Sequence, residues 1–161
     1  MKTKTKTYLR VLGMGAVAGM RAMTAPALLS HFLVKSPAGA LNFSRLHYLQ
    51  IPKVAQGLKV AAGAELVGDK LPFTPNRTIP AQLSTRILSG AVVGATLALA
   101  NKQSGIVGAL LGGLAAAAST HLFYFLRKEL GQATGLPDAN FAVLEDALAL
   151  AGGYRVLKAD K

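Results

Sequence analysis

Arg21, Glu65, Glu145 and Asp146 interrupt otherwise apolar stretches of a 161-residue chain. Each falls inside a segment patterned as a helix, and holding one such charge at bilayer depth costs on the order of 3 kcal/mol. Groups of this kind persist when they are paired or line a polar cavity. Helical spacing says which way they face. Glu145 shares a stripe with Ala142, Ala149 and Gly152, and Asp146 with Ala142, Ala149 and Gly153, so both border a small-residue side that packs inward. Glu65 lies one turn from Ala61 and from Asp69, and Arg21 shares a face with Val17, Ala18, Thr24 and Ala25. The spacing predicts a buried polar cluster in which Arg21 pairs with Glu65 or Glu145, His121 stands nearby and Asp146 completes the set. Carboxylates beside an arginine and a histidine could bind a cation, move protons or hold a polar solute. Alternatively these are interhelical ion pairs that fix register and nothing more. Lys59 reads as a cation that snorkels to the interface.

Other chemistries find little support. Ser30 and His31 are adjacent, which is not a nucleophile–base geometry. The histidines at 31, 47 and 121 lack the spacing of a helical metal pair. Cysteine is absent, which removes disulfides, thiol catalysis and cysteine metal sites. The stretch VLGMGAVA (11–18) imitates a dinucleotide fingerprint, but the acidic residue needed about twenty positions on is missing, since no acid occurs before Glu65. No catalytic residue, cofactor or metal is therefore expected. The net charge of +11 does not mark a nucleic-acid binder: Lys2, Lys4, Lys6, Arg10, Lys35, Lys53, Lys102, Arg127, Lys128, Arg155 and Lys158 sit where apolar segments end. Headgroup anchors are distributed in this way.

These residues need helices to position them. Residues 105–126 carry no formal charge over 22 positions, about 33 Å of helix and enough to cross a hydrocarbon core. Residues 11–34 are nearly as apolar. The expected fold is all-α, a polytopic transmembrane bundle of four to five short Gly/Ala-rich helices, one of them re-entrant or broken. It forms one membrane domain over 1–161, with a basic tail at 1–10 and helices at about 8–34, 54–68, 82–101, 105–128 and 139–158. The N-terminus imitates a signal peptide, but Arg21 breaks the apolar region and a proline sits in the A-P-A at 25–27, which favours a retained first span. Pro26 predicts a kink or break near 22–26. The piece at 54–68 gives about 22 Å, short of a full span. The loop after it holds Lys70, Pro72, Pro75, Asn76 and Arg77 and cannot be regular helix. Phe43 and Tyr48 suit headgroup depth, as do Phe123, Tyr124, Phe125, Arg127 and Lys128 at the end of the fourth helix. Arg86, one turn inside the third, could snorkel.

Three helices contain glycine pairs at spacing four: Gly15/Gly19, Gly90/Gly94 and Gly108/Gly112. Small residues one turn apart let backbones approach closely. They serve bundle packing or, alternatively, a self-association face, and a homo-oligomer is the expected assembly because five helices seldom enclose a pathway unaided.

Several strings in order, GMRAMTAPAL (19–28), AAGAELVGDKLPFTPNRT (61–78), GAVVGATLALA…GALLGGLAAAAS (90–119) with His121, and FAVLEDALAL (141–150), resemble a family of bacterial integral membrane proteins catalogued as domain of unknown function 4126. The resemblance covers roughly 11–155, and the E-x-x-x-D-K-x-P element and the E-D pair are its most specific parts. It implies a multi-pass protein of the bacterial inner membrane with the same polar positions: Arg21, Glu65, Asp69, Lys70, Pro72, Asn76, Arg77, His121, Glu145 and Asp146. It implies no activity. A glycine-rich helix leading to Arg21 and a helix with Glu65 are echoed by a glycine-rich helix leading to His121 and a helix with Glu145, a duplicated pattern that transporters use. The expected function is transporter- or channel-like, for a small ion or polar solute in a lipid bilayer; the alternative is a non-transporting scaffold or accessory subunit.

Overall fold

A computed structural model describes residues 2–68, 79–135 and 138–159. They form six α-helices: α1 (Lys2–Met20), α2 (Thr24–Lys35), α3 (Pro52–Gly68), α4 (Pro80–Ala100), α5 (Gly105–Thr134) and α6 (Asp138–Lys158). Two short 3-10 turns, Gly39–Leu41 and Arg45–Gln50, join α2 to α3, and no strand occurs among the described residues.

Local chemistry explains most boundaries. Pro26 is the third residue of α2, where it needs no intrahelical donor. Had the helix run on unbroken, the proline ring would have struck the carbonyl of Ala22, four residues earlier. The chain leaves the helix at 21–23 instead. The stretch expected as one segment over 8–34 is therefore two helices, and the first begins at Lys2. Pro80 opens α4 at its first position, behind an extended Ile79. Ser104 caps α5, its Oγ accepting from the Val107 amide at 3.4 Å. Gly135 ends the same helix at φ 66°, a left-handed position that glycine adopts without strain. α5 thus runs six residues past the expected end at 128, for about 45 Å.

Two helices, Pro80–Ala100 and Gly105–Thr134, are long and apolar enough to cross a membrane. The division at 21–23 removes the first apolar segment from that class. α2 has only 12 residues, about 18 Å, and α1 spends its first turns on Lys2, Lys4, Lys6 and Arg10.

α1 is the central helix, lying against α4, α5 and α6, while α2 packs on α3, α6 and the turn at 45–50. The three glycine pairs form the seams between α1, α4 and α5. A Cβ at Gly15 would stand 2.5 Å from the Gly112 carbonyl oxygen, and a Cβ at Gly90 would stand 2.5 Å from the same atom. Gly94 and Gly108 are opposed just as closely, and Gly19 faces Ala116 and Ser119. All six glycines pack against neighbouring helices of the same chain, which is the bundle-packing reading of the pairs and leaves none of the six for the alternative, a self-association face. Beyond the seams, Val11, Met14, Val17, Leu29, Val93 and Leu97 fill the core. Midway along α1, Arg10 donates to the last carbonyls of α6, from Nε to Val156 O at 3.0 Å and from Nη2 to Leu157 O at 3.1 Å.

Charge and apolarity are distributed in an unusual sense. Leu88 and Val92 on α4, Ile106, Leu110 and Leu114 on α5, and Leu144 and Leu148 on α6 are exposed. Arg21, Arg86 and Glu145 are 1%, 1% and 2% exposed.

Gly112→Val is expected to overpack both seams and lower stability by about 3 kcal/mol or more. Gly57→Ala, where a Cβ meets no atom within 4 Å, is expected to be neutral or to stabilise by up to about 1 kcal/mol. The thermal midpoint of the monodisperse protein on size exclusion reads both.

Candidate functional site

Breaking a helix inside a protein strips hydrogen bonds from both cut ends. Carbonyls at the end of α1 and amides at the start of α2 lose their intrahelical partners. Side chains from three other helices take over. On the carbonyl side, Arg86 of α4 directs Nη1 to Gly19 O at 2.7 Å and to Met20 O at 2.5 Å. From α5, Thr120 Oγ1 donates to Gly19 O at 3.0 Å, and Ser119 Oγ donates to Ala16 O at 2.8 Å. Ser89 Oγ of α4 donates to Ala22 O. On the amide side, Glu65 of α3 accepts with both oxygens, from the Ala22 N–H at 2.7 Å and from the Met23 N–H at 2.8 Å.

Electrostatics favours each placement. The end of a helix carries partial negative charge and its start partial positive charge. Arg86 meets the former and Glu65 the latter. Glu65 is in effect a carboxylate ligand bound at a helix N-terminus, supplied by the protein itself. Beside it, Arg21 Nε donates to Asp146 Oδ1 at 2.6 Å, with Nη2 2.5 Å from the same oxygen. Farther along α5 and α6, Arg127 Nη1 lies 3.5 Å from Glu145 Oε2.

The expected cluster is therefore rewired. Arg21 pairs with Asp146, not with Glu65 or Glu145, because α6 lies alongside α1 while Glu65 is turned to the backbone at the break. Glu145 pairs instead with Arg127, a residue expected to meet headgroups. His121 is exposed and stands apart. Thr120, wholly buried, faces α1, and a helix turns about 100° per residue, so its neighbour His121 points away. Lys59 is exposed. Asp69, Lys70, Pro72, Pro75, Asn76 and Arg77 lie outside the described residues. Among the described residues no three His, Asp or Glu side chains converge as a metal site.

Arg86, expected to snorkel, is the residue that spacing could have found. It precedes Gly90 and Gly94 at steps of four on α4, a small-residue stripe of the same kind as the one that points inward for Glu145 and Asp146 on α6. Ser119 and Thr120 likewise flank the inward line through Gly108, Gly112 and Ala116.

Chemically the site is a polar seam inside an apolar shell. It offers two backbone amides that hold an anion, two carboxylates that can take a proton or cation, and two guanidinium groups. Removing Asp146 takes from the buried Arg21 the carboxylate that lies 2.5 Å from it, a loss of up to about 3–5 kcal/mol. Arg21→Met with Asp146→Leu together should recover part of that loss relative to either single variant. Glu65→Ala should cost about 3 kcal/mol, with Glu65→Gln milder because one acceptor remains. Denaturation midpoints of these five variants and the parent under one set of conditions give the order.

Residues 9–159 match the family model described as Domain of unknown function (DUF4126), and the chain belongs to that family. No curated protein and no solved structure matches the chain.

Proposed function

Taking membership of that family and the inverted placement of charge as premises, we propose that the chain is a multi-pass protein of the cell membrane. It passes a small ion or polar solute through the helix break at residues 21–23. The observation that carries this is the break itself: a helix cut in the protein interior, with both ends held by ionisable side chains from neighbouring helices. Irregular backbone is tolerated at membrane depth where protein buries it or where it lines a polar path. Discontinuous helices of this kind form the solute sites of many secondary transporters.

The apolar outer faces of α4, α5 and α6 support the bilayer as the surrounding medium, since in water they would be large exposed patches. α4 and α5 cross as a hairpin. α6, with 21 residues and about 31 Å, is a third span, and α1 with α2 is a broken fourth. α3 is short and rests on α2. In this scheme Glu65 is the movable part. Its release from the Ala22 and Met23 amides, by protonation or by an incoming anion, opens the α2 terminus to solute while Arg86 keeps the α1 end closed. A homo-oligomer would form on the outward apolar faces, since the glycine seams are occupied.

A scaffold role has one specific observation in its favour: Arg21, Arg86, Arg127, Glu65, Glu145 and Asp146 all have partners within the protein. Flux measurement separates the two. Protein that resists carbonate extraction from membranes is reconstituted in liposomes and screened with protons, alkali cations, small anions and small metabolites. Transport predicts flux of at least one class, changed about tenfold or more in folded Glu65→Gln. No flux across that panel from monodisperse protein rejects transport, and loss of assembly in the same variant then favours the scaffold.

A further inference from the structure

A cavity of about 280 Å³ opens between α2, α3 and α6, on the side of α2 away from the α1–α4–α5 seams. Its walls are apolar, built from Ala27, Leu28, Ala62, Leu66 and Leu150. Polar groups mark its two ends. Exposed Lys59 and half-buried His31 stand where it opens. Thr24, 1% exposed, closes the other end, and its hydroxyl has no hydrogen-bond partner among the described residues. A buried hydroxyl left unbonded costs about 1–3 kcal/mol. The oxygen presents almost no surface to the cavity as it stands, so a ligand atom that supplies the missing bond and recovers that cost does so with a turn of the Thr24 side chain between rotamers. Thr24 and His31 are seven residues apart on one helix, so the two polar ends lie about 10 Å from each other. Glu65 does not line the cavity, because its carboxylate is turned to the amides at the break.

We propose that this cavity binds an amphiphilic monoanion. The anionic group meets Lys59 and His31 at the mouth, a hydrocarbon body lies along Leu28, Leu66 and Leu150, and a polar atom reaches the Thr24 hydroxyl. A cation at the mouth of an apolar slot selects this ligand class: a free metal or inorganic anion would leave the walls unfilled, and a neutral hydrocarbon would leave both ends unmatched. An acyl carboxylate and an anionic lipid headgroup with its chain share that chemistry. The site does not depend on transport through the break.

Gly63 makes the proposal testable without unfolding the protein. It lines the cavity, and a Cβ there would meet no atom within 4 Å, so a larger side chain has room and replaces a glycine in a helix interior. Protein in phosphatidylcholine nanodiscs is titrated with octanoate and with 8-hydroxyoctanoate, counting only binding above that of empty discs. Saturable binding of one ligand per chain is expected, with the hydroxy acid at least threefold tighter. Lys59→Met should weaken both at least tenfold. Thr24→Val should remove the difference between the two acids. Gly63→Leu should abolish binding of both while the melting temperature stays at or above the parent's. Phosphatidylglycerol discs distinguish the sources: competition there that is lost in Gly63→Leu assigns the occupant to the lipid, and unchanged octanoate binding assigns it to the free acid. Non-saturable uptake, or saturable binding that survives both Gly63→Leu and Lys59→Met, overturns the proposal.

Discussion

Backbone hydrogen bonds that water cannot reach have to be made by the protein, and the cut between α1 and α2 concentrates that demand at one place. Gly19, Met20 and Ala22 present carbonyls, and Ala22 and Met23 present amides, within a few ångströms of each other. The rest of the structure is arranged around meeting them. α4 must bring Arg86 and Ser89 to the carbonyl side, α5 must bring Thr120, and α3 must bring Glu65 to the amide side. The glycine seams follow from the same need, because a guanidinium or a short hydroxyl reaches a backbone carbonyl only when the helix axes are close. Gly90 and Gly112 allow that approach between α4 and α5, and Gly19 allows it between α1 and α5.

The pairing of charges then falls out of geometry. With Glu65 held by backbone amides and Arg86 by backbone carbonyls, neither serves as the other's salt-bridge partner. Arg21 turns to α6 and Asp146, and Glu145 of α6 reaches across to Arg127 of α5. Three guanidinium groups and three carboxylates are thereby accommodated in a bundle whose outer faces carry leucine, isoleucine and valine. Burying an ion pair is costly unless further hydrogen bonds satisfy its remaining atoms.

Much of this was legible in the sequence. Helical periodicity, prolines and small-residue stripes located the helices, the discontinuity near Pro26 and the inward direction of Glu145 and Asp146. Partners were not legible. Which acid Arg21 meets depends on the order in which helices surround α1, and no spacing within one helix encodes that. Glu65 illustrates the point: a carboxylate inside an apolar helix suggests a counter-charge, yet its partners are two amides with no side-chain signature. Arg86 differs from its expected place for another reason. Its nearness to the start of its helix suggested a route to the surface, while its register with Gly90 and Gly94 carried the opposite and correct message. His121 has the chemistry of a site residue, but its neighbour Thr120 holds the inward position.

The Arg21–Asp146 pair links residues 125 positions apart, and the Arg10 bonds to the end of α6 span still more of the chain. Synthesis proceeds at roughly 5–20 residues per second, so Arg21 emerges on the order of 10 seconds before its counter-ion. Throughout that interval the guanidinium just past the end of α1 lacks the Asp146 carboxylate that it meets in the folded bundle. The contacts of α1 and α2 with α6 cannot form as the two helices are made. Those contacts wait for α6, which makes closure of this part of the bundle a step that follows synthesis of α6.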